Sequence, residues 1–337
     1  MQAETPARED APSFADGLAA VVRPVVPGVE RLDRLSRLSG GASQETWSLT
    51  GVGSAGARKM ILRRAPATQP PVVDKASLET EAALMRALKE AGGPSPNVLY
   101  VLQPEDRIGR GFLMDHVEGE ALGRRIVRDE AFAHARTVLT SQLAEALARI
   151  HNLDPTRLPP LARRTAAEEF AQMVASYREH SAPRPVCELA IRWLAQHMPP
   201  EPAPRVAHGD FRTGNYIADA NGLAAVLDWE LAHLGNPARD LGWLCVNSWR
   251  FGGIDKPVGG LGAREDLLAA YAKAGGGRVT MEELLFWEVF GTLRWGVMCI
   301  GMGARAQQSD RPVELSMIGR RTSETEIDLL RLLSPRT

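Results

Sequence analysis

The sequence predicts an α+β chain, with a small antiparallel sheet in its first third and a mostly helical remainder. Three observations carry this. Between residues 31 and 64, the short runs RLDRLSRL, ETWSLTG and RKMILRR are separated by small and turn-forming residues. From about residue 120 apolar residues recur at helical spacing instead, as at Val138, Leu143, Ala146, Leu147 and Ile150. One short hairpin interrupts the helical part, around Ala220-Asn221-Gly222, where Asn and Gly tolerate positive φ.

Taken in order, residues 1–15 are polar and read as a disordered tail, followed by a short helix and a linker with Pro24 and Pro27. The segment RLDRLSRLSGGASQETWSLTG reads as strand, loop, strand. In its Ser39-Gly40-Gly41-Ala42-Ser43 loop, small residues would let backbone N–H groups approach a phosphate, though an ordinary hairpin loop fits equally well. On the third strand, 58–64, Met60 and Leu62 face one side while Ile61 and Arg63 face the other. Residues 76–91 form a helix stopped by Gly92-Gly93-Pro94, with Leu78, Ala82, Met85 and Leu88 as its inward stripe. Glu81 lies inside that stripe. A carboxylate there costs several kcal/mol unless paired, so it asks for a cation such as Arg63, or reaches water at the rim.

The stretch 109–122, GRGFLMDHVEGEAL, is a strand running into Glu118-Gly119. Helices follow at AHARTVLTSQLAEALARIHNLDP, AEEFAQMVASYREH, VCELAIRWLAQHM, REDLLAAYAKA, MEELLFWEVFGTLRWGVMCIGMG and SETEIDLLRLL. His151 reads as a cap or a core residue, and the Trp and Met residues of the later helices as core. The expected organisation is a tail (1–15), an N-terminal lobe (16–117) and a helical C-terminal lobe (118–337).

A formal net charge of −1 and 44% hydrophobic residues point to neither a nucleic-acid nor a membrane partner. No run approaches the roughly 18 apolar residues needed to span a bilayer, and the polar N-terminus is no secretory signal. Cys187, Cys245 and Cys299 are far apart in apolar surroundings and read as free thiols, which suits the cytoplasm. The histidines form no zinc-like cluster.

The informative stretch is Val206 to Glu230, VAHGDFRTGNYIADANGLAAVLDWE. Its hairpin brings its ends together, so Asp210, Asn215 and Asp228 should converge. Two carboxylates and an amide in one place need a cation, and a few hard oxygen ligands suit Mg²⁺ shared with phosphates. A His-x-Asp-x-x-x-x-Asn pattern arises by chance in a chain this long with a probability of about 0.04. The bland alternative is a capped turn whose Asp and Asn satisfy backbone groups.

HGDFRTGN at 208–215 followed by LDWE at 227–230 resembles the catalytic loop and metal-binding Asp of the aminoglycoside phosphotransferase (APH) family. The stretches SWRFG, VGGLG, FWEVFGTLRWGV and GRRTSETEIDLL resemble more specifically the branch found as the kinase-like N-terminal domain of acyl-CoA dehydrogenase fusion proteins. The resemblance runs from about residue 28 to the C-terminus. It implies a protein-kinase-like two-lobed fold with ATP between the lobes. It also implies that Asp210 accepts or orients a hydroxyl proton, and that Asn215 and Asp228 hold Mg²⁺. Arg212 falls where protein kinases carry a loop Lys, and His208 braces the loop. By the same resemblance Gly40, Gly41 and Ser43 cover the phosphates and Arg63, paired with Glu81, grips them, with Lys59 and Arg64 as competitors. Met114 then lies beside the adenine, which the backbone of Asp115, His116 and Val117 holds.

The chain departs from protein kinases in having Arg63 for Lys, Asp-Trp-Glu for Asp-Phe-Gly, and no Ala-Pro-Glu. This favours a small-molecule hydroxyl as acceptor. The expected lid, 157–204, carries about as many basic as acidic residues, so it does not ask for a polycation. The family resemblance points instead towards a hydroxyacyl compound, such as a coenzyme A thioester, as the acceptor. Alternatives are a silent nucleotide-binding pseudokinase, or an aminoglycoside-, choline- or homoserine-type kinase.

Overall fold

The computed structural model describes residues 14–38, 44–54, 56–65, 75–309 and 311–334. The chain divides into two compact units. One comprises Met1–Val73, Ser77–Arg86 and Pro96–Val117, the other Asp74–Ala76, Ala87–Ser95 and Glu118–Thr337.

The first unit opens with helix α1 (Phe14–Val25), so residues 14 and 15 are helical rather than part of the expected tail. An antiparallel sheet follows from β1 (Arg31–Leu38), β2 (Glu45–Gly53), β3 (Gly56–Ala65), β4 (Val98–Val101) and β5 (Arg110–Asp115), in the order β1-β2-β3-β5-β4. On β2 and β3 the inward residues recur every second position, which loads one face. On β3 that face carries Met60 and Leu62, both fully buried with Leu18, Val22, Leu49 and Leu113. Fully burying side chains of this size contributes about 1.5–3 kcal/mol each. Helix α2 (Leu78–Glu90) buries Leu78, Ala82, Met85 and Leu88, and Glu81 with them. It ends because Gly92 takes φ 72 and Gly93 N–H bonds the Leu88 carbonyl at 2.8 Å.

The second unit contains α3 (Gly123–Arg128), α4 (Ala133–His151), α5 (Ala166–His180), α6 (Pro185–Gln196), α7 (Ala238–Cys245), α8 (Arg264–Lys273), α9 (Met281–Ala304), α10 (Pro312–Gly319) and α11 (Thr322–Leu333). Capping boxes start two of them, Thr165 with Glu168 on α5 and Thr280 with Glu283 on α9. The core gathers on α9, where Phe286, Trp287, Phe290 and Leu293 pack with Tyr177, Leu194 and Leu329.

By length and composition alone helix α9 could cross a membrane, with a mean hydropathy of 1.3 over its most apolar window. That window is 72% buried, so its apolar character is accounted for by the core it nucleates.

Two short ladders bracket the motif stretch. β6 (Arg205–Ala207) pairs antiparallel with β9 (His233–Gly235), and β7 (Tyr216–Asp219) with β8 (Gly222–Val226). The returning strand stops at Val226, two residues before Asp228. Asp228 has φ 66, a left-handed backbone that no strand continues through.

Candidate active site

β6 runs directly into His208-Gly209-Asp210, and the loop is held from below by one carboxylate. Asp240, fully buried on the first turn of α7, accepts the His208 N–H at Oδ2 (2.7 Å) and the Gly209 N–H at Oδ1 (2.9 Å). His151 Nε2 lies 3.2 Å from the same carboxylate, with its Nδ1 2.7 Å from the Tyr271 hydroxyl. These partners hold Asp240 well below the usual carboxylate range against the opposing effect of burial. His151 is thus a core residue. Gly209 takes φ 85, and a Cβ there would lie 2.1 Å from the Leu231 carbonyl oxygen, so only glycine fits.

His208 is a fully buried brace. Its Nε2 donates to the Leu227 carbonyl at 2.9 Å, and its Nδ1 accepts the Asp210 N–H at 3.3 Å. That bonding requires the neutral ring, and burial pushes its pKa down accordingly. One imidazole therefore ties Asp210 to the chain one residue before Asp228.

Asp210 itself is half-buried and gripped by three donors. Trp243 Nε1 donates to Oδ1 at 2.6 Å, Arg212 Nε approaches Oδ1 at 3.3 Å, and Asn215 Nδ2 donates to Oδ2 at 2.6 Å. Burial nevertheless raises its pKa above the ordinary value, with Arg212, Trp243 and His208 acting against it. Asn215 Nδ2 also donates to the Asp210 carbonyl at 2.9 Å. Both amide hydrogens are thus turned onto Asp210, which identifies Oδ1 as the atom turned away. The Asn215 carbonyl accepts the Leu227 N–H at 2.9 Å, placing Asp228 one residue from the Asn215 backbone. The charge of Asp228 acts on both Asp210 and His208.

The structure therefore brings Asp210, Arg212, Asn215 and Asp228 into one neighbourhood. An amide oxygen and a carboxylate are hard donors in small number, a set that fits Mg²⁺ completed by phosphate oxygens and water. Among the described residues no group of three or more His, Cys, Asp or Glu is placed to hold a metal alone.

The first unit holds the other predicted residues. Arg63 Nη2 lies 3.4 Å from Glu81, which is 1% exposed, and donates to Gln44 Oε1 at 2.7 Å. Gln44 Nε2 in turn donates to Glu81 at 3.3 Å. Arg64 is committed elsewhere, to Glu45 at 2.7 Å, to the Ile108 carbonyl and to the Phe14 ring face. Lys59 is exposed. Met114 is buried on β5. At the stretch expected to hold the adenine, the Asp115 N–H donates to the Asn97 carbonyl and the His116 N–H to the Lys59 carbonyl. The Asp115 carboxylate is paired with Arg58 at 2.8 Å. Gly40, Gly41 and Ser43 lie outside the described residues.

Sequence reasoning missed four contributors, Trp243, Arg239, Glu169 and Gln44. Trp243 stands three residues after Asp240, hence on the same helical face, which was the one available hint. Arg239 donates to the Gly209 carbonyl at 3.0 Å and is held by buried Glu169 at 2.8 Å. Glu169 falls among Ala166, Met173 and Tyr177, a carboxylate in an apolar stripe, which is the signal that singled out Glu81. Gln44 had no such signal.

The sequence profile of the phosphotransferase enzyme family APH matches residues 34–281. Acyl-CoA dehydrogenase family member 11 of Gallus gallus is 28% identical over 326 residues, covering 88% of this chain and 38% of that protein. Acyl-CoA dehydrogenase family member 10 of Mus musculus is 30% identical over 202 residues, covering 56% of this chain and 18% of that protein. The chain thus spans less than two fifths of either relative. Among solved structures, a Ralstonia eutropha chain provisionally named as an aminoglycoside phosphotransferase superposes with a TM-score of 0.73 at 22% identity, covering 94% of this chain and 97% of that one. A thermostable mutant aminoglycoside phosphotransferase, solved in ternary complex with AMP-PNP and hygromycin B, superposes with a TM-score of 0.61 at 14% identity, covering 95% of this chain and all of that one. These likenesses show a protein-kinase-like fold, and with the family profile spanning well over half of its length, the chain belongs to the APH family of phosphotransferase enzymes.

Proposed function

We propose that the protein moves the γ-phosphoryl of ATP to a hydroxyl of a small molecule. The observation that carries this is the setting of Asp210: a carboxylate held by three donors, beside two hard oxygen ligands, on a loop anchored by Asp240. Asp210 orients the acceptor hydroxyl and takes its proton, and burial, by raising its proton affinity, suits it to that task. Asn215 Oδ1 and the Asp228 carboxylate would hold Mg²⁺, which when bound neutralises charge on the phosphates. Arg212 presents a fixed positive charge beside Asp210 for the transferred group. Arg63, braced by Glu81 and Gln44, takes nucleotide phosphates with its planar fork. Support for ATP comes from the structural neighbour solved with AMP-PNP.

A hydroxyacyl compound, such as a coenzyme A thioester, is the acceptor we favour, because the curated relatives carry acyl-CoA dehydrogenase names. The three buried free cysteines suit a cytoplasmic setting, with burial pushing the Cys187 and Cys299 thiols up to about 11. A nucleotide-binding module without catalysis is the second reading, favoured only by Arg63 standing where most kinases have Lys.

The test is γ-labelled ATP with Mg²⁺ and a panel of hydroxyl compounds that includes hydroxyacyl thioesters. Label should pass to at least one hydroxyl. Tight nucleotide binding with no label moved to any acceptor or to water would favour the silent module instead.

A further inference from the structure

We propose that the second unit carries a binding site for a phosphorylated polyol or sugar, in the cavity between α4 and the loop 256–262. The inference concerns that unit alone and does not depend on Asp210 acting as a base.

The cavity holds about 490 Å³, the size of a small-metabolite site. Helix α4 lines it with Arg136, Thr137 and Ser141, the loop with Lys256 and Gly262, and α8 with Asp266. Two glycines shape the loop. Gly260 takes φ 82, and a Cβ there would lie 2.4 Å from the Arg250 carbonyl oxygen. A Cβ on Gly262 would lie 2.3 Å from the Thr140 hydroxyl oxygen, so any other residue would crowd the loop against α4. The backbone of Lys256 is fixed in the same turn. Its N–H donates to the Gly253 carbonyl and its carbonyl accepts the Gly260 N–H, each at 3.0 Å.

The lining has two cations and one carboxylate. Arg136 Nη1 donates to the Ile126 and Asp129 carbonyls, at 3.1 and 2.7 Å, which fixes the guanidinium without neutralising it. Among the described residues its Nε and Nη2 make no hydrogen bond, and neither is sealed from solvent. Lys256 is exposed, and among the described residues no carboxylate is paired with either cation. Helix α4 also starts on this lining, at Ala133, so the positive end of a 19-residue helix adds to the field. A held guanidinium with donors to spare and an ammonium group together suit a phosphate ester.

The other side chains suit hydroxyls. Thr137 gives its hydroxyl hydrogen to the His134 carbonyl, and Ser141 gives its own to the Val138 carbonyl, each at 2.8 Å. Towards the cavity both can then only accept. Asp266 is exposed and, among the described residues, unpaired, which makes it a third acceptor. A bare phosphate ion would use the cations and leave these acceptors idle. The cavity wall also reaches the catalytic loop. The Gly259 carbonyl accepts the Thr213 hydroxyl at 3.1 Å, and the Gly259 N–H donates to the Leu244 carbonyl on α7 at 3.1 Å. An occupant that steadies 256–262 therefore steadies Thr213, the neighbour of Arg212.

The test is calorimetric titration of the full chain with glycerol 3-phosphate and ribose 5-phosphate, against inorganic phosphate, glycerol and ribose. The two esters should bind with a Kd below about 1 mM, inorganic phosphate more weakly, and the neutral polyols not at all. Arg136→Gln and Lys256→Gln should each weaken the esters by about fivefold or more. Lys256 is exposed, so its variant tests the site even if Arg136→Gln, which loses the bonds to the end of α3, fails to fold. Asp266→Ala should weaken the esters yet strengthen inorganic phosphate, because it removes an acceptor and a like charge together. Arg63→Gln and Arg212→Gln should leave these affinities unchanged. Absence of ester binding, binding indifferent to both Arg136→Gln and Lys256→Gln, or binding lost in Arg63→Gln or Arg212→Gln would overturn the site. Amide hydrogen exchange gives a second readout. Glycerol 3-phosphate should slow exchange at 256–262, and unchanged exchange there would also overturn the assignment.

Discussion

At the scale of single residues, the account turns on how Asp210 is held. Its Oδ1 takes the Trp243 N–H at 2.6 Å, a bond that favours the ionised form and opposes the upward push of burial. Trp243→Phe removes that opposition and keeps an aromatic ring. The base should then protonate at higher pH. The acidic limb of the kcat/KM profile should move up, and activity near neutrality should fall by roughly tenfold. An unmoved limb would show that the indole does not touch the reacting carboxylate. In the first unit, Glu81→Gln should loosen Arg63 and raise KM for ATP several-fold with little change in kcat, measured by steady-state kinetics.

Residue by residue, legibility followed the strength of local constraints. Asp210, Asn215 and Asp228 could be read because their spacing and a hairpin are both written in a single stretch. Glu81 could be read because a carboxylate in an apolar stripe needs an explanation. Glu169 offered the same signal and went unread, and its partner Arg239 turned out to hold the Gly209 carbonyl. Trp243 and Gln44 act through contacts with residues distant in sequence, and no spacing rule encodes those.

At the scale of elements, α7 is the platform of the site. Its Asp240 accepts two loop N–H groups, and its Trp243 reaches Asp210. Asp240→Ala leaves both amides and His151 without their buried acceptor, and removes a charge 3.8 Å from Arg239. The expected cost is about 3–5 kcal/mol, read from urea unfolding, with loss of transfer. Gly209→Ala should be as damaging, since its Cβ would meet the Leu231 carbonyl oxygen at 2.1 Å. The amphipathic helices were legible because each has one buried face, as α2 has. Helix α7 was not, because all eight of its residues are buried and no periodicity survives. The ladder of β6 with β9 escaped for a different reason. Three-residue strands carry no pattern, and their pairing spans the whole motif stretch.

At the scale of the whole molecule, two buried neutral histidines set the acid limit of stability. Burial and the Arg239 charge pull His233 down to about 4, and burial lowers His208 as well. An unfolded chain would protonate these rings near their ordinary pKa of about 6.5. The unfolded state therefore binds more protons between roughly pH 6.5 and 4. Stability is complete above that window and is lost as pH falls through it. For His233 the contribution is on the order of 3 kcal/mol. His233→Asn can keep the bond to the Leu231 carbonyl and should flatten the decline, seen as a smaller fall in unfolding free energy from pH 7 to pH 4. The two-part α+β organisation was legible because hydrophobic period changes along the chain. Helix α9 was legible almost to the residue, since the stretch MEELLFWEVFGTLRWGVMCIGMG reads as a helix and α9 runs from Met281 to Ala304.

The most direct measurement is phosphoryl transfer itself, followed by the mass of a hydroxyl acceptor incubated with ATP and Mg²⁺ and either wild type or Asp210→Asn. The account predicts a phosphorylated acceptor with wild type. With Asp210→Asn it predicts a rate lower by about 10²–10⁴-fold while nucleotide affinity, measured by calorimetry, is nearly unchanged. Equal rates for the two proteins would contradict it.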